Sequence, residues 1–229
     1  MKKNSLDSLK APGLGFQKHL PAWLALLILA LLYETLPDVY YLGRHGIMIS
    51  IIVLLSLLMF TTHFLDRYKS HHFLSIGTIG ITTFYIIISV LRLISSTLAG
   101  QIDPKRLLTA SIILWISNIL LFSLWYWNLD EGGPIQRQFK KTTFSHSFLF
   151  PQMQFEMTRS AEEEHPFKNW SPQFIDYVFL AYNTSTAFSP TDTPILSRWA
   201  KCATLTQSMI SLTLVVMLVA RAINILGYQ

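Results

Sequence analysis

Five long stretches of this chain are almost purely apolar, and they limit what it can fold into more than any other feature. A helix needs about 20 mainly apolar residues to cross the hydrocarbon core of a membrane. Short polar joints separate the stretches, and aromatic side chains such as Tyr41 and Trp127 gather near their ends, as is typical of a membrane interface. The pattern predicts an all-α integral membrane helical bundle with five transmembrane helices. The stretches are residues 20–36, 47–65, 73–98, 107–127 and 203–226.

The composition agrees with a chain that lies in a lipid bilayer. Hydrophobic residues make up 51% of the chain and charged residues 14%, whereas a soluble domain typically carries about 25% charged residues. These proportions argue against an ordinary soluble enzyme, a disordered chain and a disulfide scaffold. The chain has one cysteine, Cys202, so neither a disulfide nor a thiolate zinc site can form within one copy.

The distribution of positive charge predicts the orientation in the membrane. The net charge is +5, and we attribute it to cytoplasmic loops rather than to binding of nucleic acid. If the N-terminus is cytoplasmic, the N-terminal arm and the 129–170 loop lie on the same side, and that side carries most of the lysine and arginine. The first apolar stretch is longer than a signal-peptide core and lacks a small-residue cleavage site. We therefore expect an uncleaved, multi-pass protein of the cell membrane with a cytoplasmic N-terminus.

The chain divides into four parts by composition. A basic arm over 1–19 precedes a four-helix transmembrane region over 20–128. A polar loop over 129–170 follows, and Gly132, Gly133 and Pro134 near its start break the helix. The last part, 171–229, contains the fifth apolar stretch and the segment that bears most on function.

A short helix is predicted immediately before the last span. Ser171 is a good N-cap, Pro172 suits the first helical position, and the helical pattern runs to about Thr186. Pro190 cannot continue the helix. About 15 residues at 1.5 Å each give about 22 Å, too little to cross a bilayer comfortably. We expect a re-entrant half-helix followed by a non-helical loop rich in hydroxyls.

This C-terminal part resembles the pore module of tetrameric potassium-type channels. A short helix, a Thr-rich turn that ends in Asp, a basic joint and a long final span occur in the same order, from residue 176 to residue 226. The filter of that family reads Thr-x-Thr-Thr-Val-Gly-Tyr-Gly-Asp. At the same spacing this chain has Thr184, Ser185, Thr186, Ala187, Phe188, Ser189, Pro190, Thr191 and Asp192.

The departures from the family pattern change what the resemblance implies. Ser189 and Thr191 replace the two glycines that let carbonyls point at the ion, and Pro190 replaces the aromatic residue. A potassium filter of the usual geometry therefore cannot form. The resemblance implies instead a wider and less selective path for a monovalent cation, in a homo-oligomer that is a tetramer if it is channel-like. The implied lining is Thr184, Ser185, Thr186, Ser189, Thr191 and Asp192.

The orientation of the half-helix conflicts with this resemblance. In potassium-type channels the pore loop enters from outside the cell, whereas the positive charges place the 129–170 loop in the cytoplasm. The alternative is a non-conducting membrane scaffold or small transporter, in which residues 183–192 form a structural elbow between two helices. On that interpretation the Ser and Thr side chains serve helix packing.

A second resemblance covers the whole chain. Four motifs look like those of a family of uncharacterised bacterial integral membrane proteins, for which no activity is known. They are Leu-Asp-x-Gly-Gly-Pro from 129, Phe-Pro-Gln-Met from 150, Ala-Phe-Ser-Pro-Thr-Asp from 187 and Val-Ala-Arg-Ala-Ile-Asn-Ile-Leu from 219.

No enzymatic motif accompanies these features. The sequence has no His-x-Glu-x-x-His, paired-carboxylate, nucleophile-elbow or phosphate-loop pattern, so we expect no enzyme, no cofactor and no metal site. Two amides lie inside the predicted spans, Asn118 in the fourth and Gln207 in the last. We expect each of them to form hydrogen bonds across helices.

Overall fold

Helices account for nearly all regular structure in the computed structural model of this chain. It describes residues 12–64, 68–99, 103–134, 146–158, 164, 166–168, 170–189 and 192–227. Within these ranges there is no strand, only one isolated antiparallel bridge between Phe148 and Ile195. The helices are α1 (Pro12–Glu34), α2 (Ile47–Phe64), α3 (Tyr68–Ala99), α4 (Pro104–Leu129), α5 (Pro151–Met157), α6 (Phe174–Thr186) and α7 (Arg198–Gly227), with a 3₁₀ turn at Asp130–Gly132.

Three of these helices contain segments long and apolar enough to cross a membrane. The segments are Ser70–Ala99, Pro104–Gly132 and Arg198–Ala220. Two further apolar segments, Leu20–Glu34 and Ile47–Thr62, are shorter. The all-helical class predicted from the sequence is therefore confirmed, and the structure is compatible with a membrane protein through three candidate spans.

Helix α4 is the centre of the bundle. It packs against α1, α3, α6 and α7, and small or polar residues on several of its faces are fully buried. Ala110, Ser117 and Ser123 are examples, and each lets a neighbouring helix approach closely. Asp103 caps the start of α4 by accepting a hydrogen bond from the backbone N–H of Lys105 at 3.0 Å.

The start of α6 differs from the sequence prediction by two residues. Gln173, not Ser171, is the N-cap, and it forms a capping box with Asp176. The backbone N–H of Gln173 donates to Oδ2 of Asp176 at 2.7 Å. Burial raises the pKa of Asp176, and this hydrogen bond acts in the opposite direction. The predicted end of the helix at Thr186 is confirmed.

The described parts of the 129–170 loop fold back onto the bundle. Phe148 is fully buried, and its ring lies 5.0 Å from Tyr126 and 5.8 Å from Trp199 between centroids. Phe150 is also buried, 5.3 Å from the ring of Tyr177. The loop thereby closes one end of α4, α6 and α7 with aromatic side chains.

Candidate functional site

Helix α6 is attached at its start to the end of α4. Asp130, directly after α4, is fully buried. Its Oδ2 accepts a hydrogen bond from the hydroxyl of Tyr177 at 2.6 Å, and its Oδ1 accepts one from the backbone N–H of Ser147 at 2.8 Å. Charge-assisted bonds of this kind are among the stronger hydrogen bonds in proteins. One carboxylate thus joins α4, the loop and α6.

The segment that follows α6 returns to the same loop. The backbone N–H of Leu149 donates to the carbonyl of Pro194 at 3.0 Å, and that of Leu196 donates to the carbonyl of Ser147 at 2.8 Å. Nε1 of Trp199, in the first turn of α7, donates to the Ser147 hydroxyl at 3.0 Å. The start of α6 and residues 194–199 are therefore bonded to the same end of the bundle.

Two of the six residues predicted to line a pore lie inside the bundle. Thr184 and Ser185 are fully buried. The hydroxyl of Thr184 donates to the carbonyl of Leu180 at 2.8 Å, within its own helix. Ser185 accepts a hydrogen bond from Gln207 on α7. Both side chains are used in helix packing within one copy of the chain.

Three other predicted residues lie on the surface of the single chain. Thr186, Ser189 and Asp192 are exposed, and they occupy the turn in which α6 ends. The hydroxyl of Thr186 donates to the carbonyl of Tyr182 at 2.9 Å, and the carbonyl of Asp192 accepts from Nε2 of Gln154 at 3.2 Å. The sixth residue, Thr191, lies outside the described residues.

The turn after α6 has an unusual backbone. Phe188 has φ of 54°, a left-handed value that L-residues with a Cβ rarely adopt. It immediately precedes Ser189, which stands where the channel family has its first filter glycine. The left-handed conformation here is thus carried by an aromatic residue, and its cost must be offset by the contacts of the turn.

A buried polar network connects this region to α4 and α7, and Gln207 is at its centre. Nε2 of Gln207 donates to the carbonyl of Ala181 at 2.8 Å and to the hydroxyl of Ser185 at 2.9 Å. Its Oε1 accepts from the hydroxyl of Tyr126 at 2.5 Å. Gln207 is fully buried, and these bonds satisfy its amide.

Asn118 extends the network toward the middle of the bundle. Its Nδ2 donates to the hydroxyl of Ser211 at 2.8 Å and to the carbonyl of Gln207 at 3.3 Å. The expectation that Asn118 and Gln207 form hydrogen bonds across helices is confirmed. We call Asn118, Tyr126, Ser185, Gln207 and Ser211 the Gln207 network.

Sequence reasoning missed the residues that fix the ends of α6. Asp130, Ser147 and Tyr177 were not predicted to meet, because they are far apart along the chain. One local signal existed: Asp130 stands at the end of a long, mainly apolar stretch, and Glu131, Gly132 and Gly133 follow it. An acidic residue at the end of an apolar helix needs hydrogen-bond donors if it is buried.

The described residues contain no group of three or more His, Cys, Asp or Glu side chains that could hold a metal ion. The arrangement therefore offers hydroxyls, amides and single carboxylates, which suit helix packing or weak, water-assisted contacts with an ion. No family model, no curated protein and no solved structure matches this chain.

Proposed function

We propose that this chain is a multi-pass integral membrane protein of the cell membrane, and that its copies assemble into a pore-loop, cation-channel-like homo-oligomer. Four copies would surround one path for monovalent cations, as in potassium-type channels. The observation that carries the proposal is α6. It has 13 residues, about 20 Å at 1.5 Å per residue, and both it and the segment after it are bonded to one loop.

In this proposal α1, α2, α3, α4 and α7 are the five spans and α6 is the re-entrant half-helix. The apolar segments of α1 and α2, Leu20–Glu34 and Ile47–Thr62, are shorter than those of the other three helices. The proposal takes α1 and α2 as spans because the whole helices have 23 and 18 residues, close to the roughly 20 residues that a span needs. An irregular turn at membrane depth is tolerated only where protein or a watery cavity surrounds it. The described parts of the segment after α6, 187–189 and 192–197, then need neighbouring copies or water around them.

The proposed lining is the exposed part of the predicted set. Thr186, Ser189 and Asp192 are exposed in one copy, and Thr191 directly precedes Asp192 in the sequence. A carboxylate, hydroxyls and the negative end of the α6 dipole together favour a cation. The buried Thr184 and Ser185 support the turn from behind.

Exposed apolar faces on α6 and α7 support assembly of several copies. Ile175 and Phe179 on α6 are 65% and 58% exposed, and Leu205 and Met209 on α7 are 64% and 63% exposed. These faces are suited to the lipid bilayer or to a second copy. In the proposed oligomer they form the contacts that bring the turns around a common axis.

The proposal is tested by cation flux into liposomes that contain the purified protein. We expect potassium or sodium flux with the wild type and a several-fold loss with Asp192→Asn or Thr186→Val. The matched controls are Asp103→Asn, since Asn caps a helix as well as Asp, and Thr61→Val on the exposed side of α2. Both controls should conduct as the wild type does.

Flux that persists unchanged in Asp192→Asn and Thr186→Val would contradict the proposed lining. A folded, oligomeric wild type that gives no flux would support the second candidate, a non-conducting scaffold or small transporter. The Gln207 network favours that candidate, because it binds the elbow firmly to α7 through Ser185 and the carbonyl of Ala181.

The orientation of the elbow is tested separately by cysteine labelling. We replace Cys202 by Ser, place a single cysteine at Ser145 and treat intact cells with a membrane-impermeant maleimide. The charge distribution predicts protection in intact cells and labelling after lysis. Labelling of intact cells would place the loop outside, as in potassium-type channels. Protection would make the half-helix enter from the cytoplasm and would favour the structural elbow.

A further inference from the structure

A cavity of about 290 Å³ lies between α3, α4 and α7, apart from the elbow. A cavity of about 150 Å³ in a protein core holds a benzene molecule, so this one has room for a ligand about twice that size. Nine of its thirteen lining residues are apolar, and the other four are Asn118 and three threonines. The residues that matter below are Ile87, Val90, Leu91, Asn118, Phe122 and Met209.

One polar group on this lining lacks a hydrogen-bond partner. Asn118 is fully buried, and its Nδ2 is engaged by Ser211 and by the carbonyl of Gln207. Its Oδ1 has no hydrogen-bond partner among the residues that the structure describes. Turning the amide over would place Oδ1 about where Nδ2 now lies, 3.3 Å from the carbonyl oxygen of Gln207, and two acceptor oxygens repel each other. A buried amide oxygen without a donor is unfavourable, and a ligand that supplies one relieves the deficit.

The way into the cavity is also apolar. Ile87, Leu91 and Met209 line it and are 44%, 54% and 63% exposed. These side chains belong to two candidate spans, α3 and α7. A ligand that enters between them must be soluble in hydrocarbon, because a charged or strongly hydrated molecule would lose its water there.

We propose that this cavity binds an apolar alcohol from the bilayer, whose hydroxyl donates a hydrogen bond to Oδ1 of Asn118 while its carbon skeleton contacts Val90 and Phe122. The apolar lining supplies affinity for any hydrocarbon of suitable size. Asn118 supplies selectivity for a molecule with one hydrogen-bond donor. This site does not depend on whether the elbow conducts ions.

The test uses two photoreactive probes that differ in one group. One is decanol carrying a diazirine, and the other has a methyl group in place of the hydroxyl. The protein is labelled in phosphatidylcholine nanodiscs, and the adducts are mapped by mass spectrometry. Labelling of the cavity is divided by labelling of the exposed α2 residues Leu54 and Leu57 in the same sample, which corrects for unequal partition into the lipid.

With this correction, the alcohol should label the cavity roughly threefold to tenfold more than the methyl analogue, since one hydrogen bond contributes about that factor. Asn118→Leu should abolish the preference. Ile87→Trp, at a partly exposed position, should fill the cavity and lower labelling by both probes. Leu54→Trp on α2 is its matched control and should leave cavity labelling, measured against Leu57 alone, unchanged.

Equal labelling of the cavity by the two probes in the wild type would overturn the proposal, because it would mean that the cavity holds lipid chains without selection. A preference that survives in Asn118→Leu would overturn it too, since another group would then recognise the hydroxyl. If Asn118→Leu does not fold, the wild-type comparison and Ile87→Trp decide. The proposal fails if the wild type shows no excess labelling by the alcohol. It also fails if Ile87→Trp retains that excess.

Discussion

The two ends of the bundle each hold a carboxylate among tyrosines, but they differ in burial. At the loop end, which we define as Asp130, Ser147, Phe148 and Tyr177, the carboxylate is fully buried. We define the hairpin end as residues 33–46, from the last residues of α1 to the start of α2. There the side chain of Glu34 is 20% exposed. Water can replace a lost partner at the second site and cannot reach the first.

The hairpin end uses the same kinds of hydrogen bond as the loop end. The hydroxyl of Tyr41 donates to Oε1 of Glu34 at 2.6 Å, and the backbone N–H of Gly46 donates to Oε2 at 2.9 Å. Arg92 on α3 donates to the carbonyl of Tyr41. Similar contacts therefore carry different energies at the two ends, because the cost of breaking them depends on access of water.

The largest effect is expected at the loop end. Asp130→Ala removes the acceptor for the hydroxyl of Tyr177 and the N–H of Ser147 and leaves both donors buried. We expect the free energy of unfolding to fall by about 2–4 kcal/mol, since each buried donor left without an acceptor costs about 1–3 kcal/mol. Unfolding in mixed micelles, followed by circular dichroism, measures the change.

The matched control is an acidic residue at the hairpin end. The side chain of Asp38 is 92% exposed and lies 2.6 Å from Nε2 of His45. We expect Asp38→Ala to change the free energy of unfolding by less than about 1 kcal/mol, as for exposed ion pairs in general. If Asp130→Ala and Asp38→Ala lowered the free energy of unfolding equally, burial would not explain the difference between the two ends.

A smaller effect is expected in the Gln207 network, which extends from near the loop end toward the middle of the bundle. Gln207→Leu keeps the volume of the side chain and removes three side-chain hydrogen bonds. At about 0.6 kcal/mol for each bond between membrane helices, the loss is about 2 kcal/mol. Thr206→Val is the neighbouring control, since its exposed hydroxyl bonds only the carbonyl of Cys202 in the same helix among the hydrogen bonds described.

A double variant sharpens this prediction. Tyr126→Phe removes the donor to Oε1 of Gln207, so Tyr126→Phe and Gln207→Leu combined should destabilise less than the sum of the two single variants. Strict additivity would mean that the 2.5 Å contact between these side chains contributes nothing to stability.

The sequence was sufficient to locate the five long helices and α6, because apolar stretches and their breakers are local signals, but it did not predict α5. It was also sufficient for the roles of Asn118 and Gln207, because an amide inside an apolar helix needs a partner on another helix. The end of α6 at Thr186 followed from the same reasoning. Its start did not, because the capping box of Gln173 and Asp176 outweighed the better intrinsic cap, Ser171.

The sequence was insufficient to decide which hydroxyls of the elbow are buried. Ser185 and Thr186 are neighbours, and one step along a helix turns the side chain by about 100°. Ser185 meets Gln207, and Thr186 is exposed, because α7 covers only one face of α6. The pairing of Asp130 with Tyr177 could not be predicted either, because it depends on how α6 packs against α4.

The smallest predicted effect lies at the hairpin end and depends on pH. His45 lies between Asp38 and Glu34, at 2.6 Å and 3.4 Å, and stacks on the ring of Tyr41. The hydrogen bond to Asp38 raises the pKa of His45 above its ordinary value of 6.5; burial opposes this, and the bond to Glu34 adds to it. Protonated His45 therefore stabilises the folded hairpin.

The direction of the pH dependence follows from the raised pKa of His45. Because the pKa of His45 is higher in the folded chain than in the unfolded chain, its contribution to stability is fully present below pH 6.5. It is lost as the pH rises through the folded-state pKa. We expect the difference in unfolding midpoint between wild type and His45→Gln to be small, because the side chain is 47% exposed and solvent screens its ion pairs. That difference should shrink from pH 5.5 to pH 9, and one that grows over this range would contradict the assignment. Because Asp38 is the main cause of the shift, Asp38→Asn should remove most of the same pH dependence.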